Sequence, residues 1–583
     1  MRKPAALCIA LLVAGAMLLV PAASAAPTGD TRVAVGSPAG PFAQNKQNEP
    51  GVAVNPIMPS MVAAGANDEI DVEACRAGDD RDCPFTAGVG VSGVSFSLTG
   101  GDTWVQPTYT GWTARHCVTD APCVPRVGPI GTLPKYYENG LVADGDPSLA
   151  FGPRRGGPND AAPGEFSWDH GYRLYYSSLA SAFSGSRKKD PETGFKGFEA
   201  IAVSRTDDVP AAASGDESAW KAPVIASKQN GAAFSDHEQI TVDDAASSPF
   251  FGNVYICYAA FRSVGGAPEP IVVGRSTDGG STWQHRQISE ATNTNQTIGR
   301  QDCNIKTDSE GVVYVVYEGG FKKETAIIMA RSFDGGRRFE RPRLVHRFDD
   351  VGLFDPTTER FSFDGVGGAR TGTVPWIDIA NGAPMGDDAT DEIVVSWNDG
   401  PTPSVTDPGP NERVMVGYST NGARSFSFTS DAADRGDRPD FPAIGISPDG
   451  EDVYLVYDAF FAPWQVTTAR ARPMQGVVRH ADSAGLTAPT GWADVHRGEI
   501  GDARGSSQNG LTAEFLGDYN NVDVTRSGAM AVWNDVRDAA ACPAINRYRQ
   551  AIADGETPTP PRVNARCPFT FGNSDIYGGF YSA

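Results

Sequence analysis

Histidine is scarce in this chain, with seven residues in 583, and the nine cysteines fall into none of the spacings that hold zinc. Zinc chemistry is therefore not expected. Past the first two dozen residues no uninterrupted apolar run reaches the roughly 18 residues of a membrane-spanning helix. Basic residues are also short, 49 against 71 acidic for a formal net charge of −22, which makes a surface that repels nucleic acid and anionic lipid headgroups. His-Glu-x-x-His, Gly-x-Ser-x-Gly and the phosphate-loop pattern are all missing, so the commonest zinc-protease, serine-hydrolase and nucleotide-binding chemistries have no support.

What is present begins with the order of a secretory signal. Arg2 and Lys3 precede an apolar run from Ala5 to Val20 and then Ala23-Ser24-Ala25, which predicts cleavage after Ala25. Residues 1–25 are thus expected to be a signal peptide and residues 26–583 a single secreted domain. Cys8 leaves with the signal, and the eight remaining cysteines suit disulfides in an exported chain. Nearest neighbours pair Cys75 with Cys83, Cys117 with Cys123, Cys257 with Cys303 and Cys542 with Cys567. With 40% hydrophobic residues, 66 Gly and 43 Pro, the chain should fold with many turns and long surface loops.

Four segments spell variants of one phrase, Ser-x-Asp-x-Gly-x-Thr-Trp. The fullest is Ser276, Asp278, Gly280, Thr282 and Trp283; the others are Ser332, Asp334, Gly336 and Phe339; Ser419, Asn421 and Phe426; and Ser97, Gly101, Thr103 and Trp104. Asp or Asn accepts hydrogen bonds from amides two or three residues on, and Gly supplies positive φ, so the phrase describes a tight turn between strands. Its recurrence signals a fold of repeated units. The phrase resembles the Asp-box, or bacterial neuraminidase repeat, of sialidase-like β-propellers.

Reading for strands finds seven units. First strands begin near Glu49, Asp146, Glu238, Asp302, Trp376, Asp440 and Tyr519, and each is followed by a β-branched and aromatic strand, such as Val254 to Ala259 or Val453 to Tyr457. An all-β propeller of four-stranded antiparallel blades is predicted, with seven blades preferred and six, the number in catalytic sialidases, as the alternative. The last segment, 575–583, is strand-like and is expected to close the ring.

Antiparallel pairing puts first-strand starts beside second-strand ends on one face, opposite the repeated turns. That face should gather charged side chains around the axis as a ligand site. The resemblance implies a Tyr nucleophile, a Glu base, an Asp acid/base and three arginines gripping a carboxylate. By position these are Tyr519, Glu318, Asp68, Arg300, Arg438 and Arg537, with Asp302 and Asp440 as further substrate-binding candidates. The Arg-Ile-Pro motif of sialidases is replaced by Asn48-Glu49-Pro50-Gly51, an acid where a cation would stand. What the resemblance implies is a glycoside hydrolase acting on glycans in the axial cleft; the alternative is a propeller that binds glycan or protein without turnover. No cofactor is required, and the chain is expected to work as a monomer. Calcium could sit at Asp144-Gly145-Asp146 or among Asp431 to Asp440, whereas alternation along a strand should send His237 away from Asp236 and Glu238.

Overall fold

The computed structural model describes residues 29–583, apart from 76–82, 84, 120, 184–196, 263–267, 292–300, 323, 356–359, 365, 401–411, 435, 462–464 and 488–490. The expected signal peptide and Arg300 lie outside the described residues.

Seven antiparallel sheets stand in a ring, and in six of them the order of strands follows the chain from the axis outward. Their inner strands are Gln47–Val54, Leu141–Arg155, Phe234–Val242, Gln301–Thr307, Trp376–Ile379, Pro439–Ile446 and Asn521–Thr525, which we number as blades 1 to 7. The fold is therefore a seven-bladed β-propeller. Blade 1 has three full strands, with Val105 bridging to Phe96 where a fourth would begin. Blade 7 is made from both ends of the chain: Asp575–Tyr581 is its third strand, and Thr31–Arg32 pairs outside it.

Second strands read as nearly continuous apolar runs because each is covered on both faces. In blade 4, Val313, Val315 and Tyr317 pack toward Tyr255, Cys257 and Ala259 of blade 3. The alternate residues Tyr314 and Val316 pack toward Ile393, Val395 and Trp397 of blade 5.

The four repeated phrases fold into matching turns. Ser276 Oγ accepts from Gly280 N at 2.9 Å, and Asp278 Oδ1 accepts from Ser281 N and Thr282 N at 3.0 and 2.9 Å. Ser332 with Asp334 and Ser419 with Asn421 repeat the pattern, and at Ser97 the Thr99 hydroxyl takes the Asp role by accepting from Thr103 N at 3.0 Å.

All four expected disulfides are present. They suit an oxidising environment, and among the described residues no helix is long and apolar enough to cross a membrane. Cys257–Cys303 joins the second strand of blade 3 to the inner strand of blade 4 across 46 residues. Replacing both cysteines by Ala is expected to lower stability by about 3–4 kcal/mol, because the unfolded chain regains loop freedom. Denaturant midpoints of the double variant and the parent check this, and equal midpoints would contradict it.

Candidate active site at the propeller mouth

Five inner strands are interrupted at the same height. Their pairing register shifts between Asn48 and Gly51, Gly145 and Ser148, Asp236 and Gln239, Gln301 and Asn304, and Asp440 and Ala443. In these bulges Glu49, Asp146, His237, Asp302 and Phe441 adopt φ of 56°, 52°, 47°, 54° and 55°, the left-handed region that glycine favours. None is glycine, and four are ionisable. Each such residue costs about 1–3 kcal/mol and persists where the site needs its side chain. The bulge at His237 also breaks strand alternation, so its imidazole turns into the mouth, contrary to the sequence expectation, and Nδ1 stands 3.1 Å from Asp302 Oδ1.

Asparagines on second strands fix the bulges of the following blades. Asn67 Oδ1 accepts from Asp146 N at 2.8 Å, Asn534 Oδ1 accepts from Glu49 N at 2.9 Å, and Asn398 Nδ2 donates to Asp440 Oδ1. Each of these asparagines is followed by an aspartate, Asp68, Asp399 or Asp535, which period-two alternation sends away from the axis. Gly145 has to be glycine here, since it has φ 105° and a Cβ on it would stand 2.4 Å from Asn67 Oδ1.

The mouth is strongly acidic. Glu49, Asp146, Asp236, Asp302 and Asp518 influence one another electrostatically, with Arg370 and His237 among them. Arg370 comes from the insertion between blades 4 and 5. Its Nε donates to Asp518 Oδ1 at 2.6 Å, NH2 binds Asp518 Oδ2 and lies 3.4 Å from Glu49 Oε1, and the guanidinium covers the Phe515 ring at 4.9 Å. Glu49 and Asp146 hydrogen-bond to each other, and Asn67 Nδ2 donates to Glu49 Oε2 at 2.6 Å. Burial, then the neighbouring Glu49 charge, pushes the Asp146 carboxyl well above the usual range. Burial also raises Asp302, to about 6, against the opposing pull of His237.

The sequence candidates divide between the mouth and its surroundings. Tyr519 lies in the mouth, its ring 5.2 Å from that of His237, and burial with the Asp146 charge raises its phenol far above the ordinary value. Asp302 is a bulge residue, and Glu318 stands beside it, its own carboxyl raised by burial and then by Asp302. Asp440 is buried under Thr371 and Asn398, and burial pushes it up to about 8. Asp68 occupies a separate cage, accepting from Ser37 Oγ at 2.8 Å, Gln106 Nε2 at 2.7 Å and Ile70 N at 3.0 Å. Arg438 is paired with Glu412 at 3.0 Å over the Phe363 ring. Arg537 is held by Asp30 and Asp535 over Tyr577. Each of these two arginines is committed to an acid partner. Arg370, a cation that does enter the mouth, has no signal in sequence because a loop, not a strand end, delivers it.

A buried triad holds that loop in place. Arg472 NH1 lies 2.7 Å from Asp364 Oδ2, and its Nε donates to Glu514 Oε2 at 3.2 Å; all three side chains are at most 4% exposed. The triad joins residues 363–371 to blade 6 and to the segment carrying Phe515 and Asp518.

Further along the axis, toward the far ends of the inner strands, is a cavity of about 200 Å³ lined by Val54, Phe151, Trp376 and the pair Lys306 and Asp378, 3.1 Å apart. There Asp378 Oδ2 accepts from Ile446 N and Asp523 Oδ2 from Val54 N, so carboxylates join neighbouring blades. Of the acids considered for calcium, Asp434 and Asp437 already have a cation in Arg497, at 3.1 and 2.8 Å.

No family model and no curated protein matches the chain. Solved structures do. The α-L-arabinofuranosidase Arb93A of Fusarium graminearum, bound to an iminosugar inhibitor, is 11% identical, with 75% of this chain and 92% of that one covered at a TM-score of 0.38. The intramolecular trans-sialidase of Ruminococcus gnavus, bound to oseltamivir carboxylate, is 12% identical, with 73% and 93% covered at 0.38. The Trypanosoma rangeli sialidase, bound to the inhibitor DANA, is 10% identical, with 85% and 70% covered at 0.37. Each of these likenesses extends to the fold alone.

Proposed function

We propose that the chain is a glycoside hydrolase whose reaction centre is the ring of ionisable bulge residues at the mouth. The observation that carries this is the strained presentation of Glu49, Asp146, His237 and Asp302 at one height around the axis. Two carboxyls there differ in protonation. Asp146, whose carboxyl is pushed well above the ordinary range by burial and by Glu49, serves as general acid, while Asp302, near 6, serves as base. The Asp146 proton passes to the glycosidic oxygen as its bond to the anomeric carbon breaks. Water adds at that carbon and gives its proton to Asp302. Tyr519, whose phenol is held far from ionisation, borders the sugar in place of attacking it, and Glu318 backs Asp302.

Turnover of chromogenic glycosides tests this. Asp146→Asn should lower kcat/KM about 10²–10⁴-fold. Tyr519→Phe should cost less than about tenfold, whereas a nucleophilic tyrosine would lose far more. The acid limb of the pH profile should lie near 6 and disappear in Asp302→Asn. No turnover on any glycoside by the folded protein would end the hydrolase reading. It would favour a binding propeller, a reading supported by the way Arg370 spans the mouth between Glu49 and Asp518.

A further inference from the structure

We infer that the sugar taken at this mouth carries a free, protonated amino group. This rests on the hydrolase reading above and narrows its substrate class. Glu49, Asp146, Asp236, Asp302 and Asp518 come from blades 1 to 4 and the approach to blade 7, and among the described residues the cations acting on them are Arg370 and His237. Arg370 is already committed, with two contacts to Asp518, one to Glu49 and its face on Phe515. Arg438 and Arg537 are tied to acids elsewhere. Among the described residues, then, no mouth arginine remains to grip a sialic or uronic carboxylate, and the surrounding acids would repel one.

An ammonium fits the same surroundings. It brings three N–H donors and a positive charge to carboxylates that converge from neighbouring blades. His237 is 7% exposed, and its Nε2, across the ring from Asp302, is buried without a hydrogen-bond partner, so the cluster is not satisfied by its own members. An N-acetylated sugar offers no charge and adds bulk. Binding of a cation also favours the ionised form of a carboxyl whose proton affinity burial has raised, as at Asp146, so protons should leave as the amine enters.

Calorimetry at pH 7 with a β-1,4-linked glucosamine disaccharide and its N-acetylated counterpart, each in two buffers of different ionisation heat, separates the outcomes. The amine form should bind at least about tenfold more tightly and release protons, and Asp236→Asn should reduce that ratio about tenfold. Equal or weaker binding of the amine form, or an unchanged ratio in Asp236→Asn, would overturn the inference. Chromogenic glucosaminide and glucoside tested side by side keep it distinct from the hydrolase reading. Equal cleavage of the two would sink the amine preference and leave the hydrolase standing. Tight amine binding with no cleavage of any glycoside would do the reverse.

Discussion

Denaturant unfolding should show this protein to be more stable at pH 5 than at pH 8, by on the order of 5 kcal/mol. The cause is a set of buried carboxyls whose affinity for protons rises on folding. Burial pushes Asp440 up to about 8, and Asp71 and Asp575 to about 7, although Thr132 assists the ionised form of Asp71 and Arg32 that of Asp575. In the unfolded chain the same groups lose their protons near 4. Between these values the native state binds more protons, so stability is fully present below the unfolded pKa and is lost as pH rises through 7 to 8. Carboxyls with strong partners act the other way, as with Asp30 beside His496 and Arg537, but their dependence lies below pH 4. Unfolding midpoints at the two pH values decide the matter; a higher midpoint at pH 8 would show that these carboxyls are ionised in the folded protein.

Arg472→Leu should destabilise the protein by about 3–5 kcal/mol, since Asp364 and Glu514 would remain buried without their cation. The consequence should reach the mouth. Glu514 N donates to Gly367 O at 2.5 Å, and residues 363–371 carry Thr371, which donates to Asp440 Oδ2, as well as Arg370. Turnover or ligand affinity should therefore fall along with stability. Replacing all three charged residues with leucine or methionine of similar volume should recover most of the stability, since a buried ion triad is costly to desolvate. Recovery of stability without activity would show that the triad positions the loop and is not needed to hold up the fold. A single Arg472→Leu variant as stable as the parent would contradict both statements.

Much of the architecture could be read from the chain. Second strands such as Val313–Phe321 and Gly528–Asp535 are buried on both faces and carry β-branched and aromatic residues almost without interruption, so they stand out from their loops. The turn phrases are local, made by side chains bonding to amides three or four residues away, and such chemistry survives in sequence. The height of the mouth is also legible, because Glu49, Asp146 and Asp302 stand where the apolar pattern starts a first strand.

What could not be read was direction. A bulge adds one residue to one strand, and the hydrophobic pattern does not record it, so simple alternation puts His237 on the wrong side. At second-strand ends a one-residue offset separates Asn67, which faces the next blade, from Asp68, which turns outward to Ser37 and Gln106. Arg438 and Arg537 are each taken by an acid, Glu412 and Asp30, that lies outside their own strands. Arg370 reaches the mouth through a loop held by Arg472 and Glu514, a route that only the assembled fold reveals.

Blade 7 joins residues 31–32 to residues 575–581, so nothing seals the circle until residues 575–581 have been translated. A ribosome works from the amino end, and until it has passed those residues, the second strand of blade 7 presents bare amides and carbonyls to any chain that passes. A chain that stops before residue 575 would thus present a sticky arc in place of a slightly shortened ring.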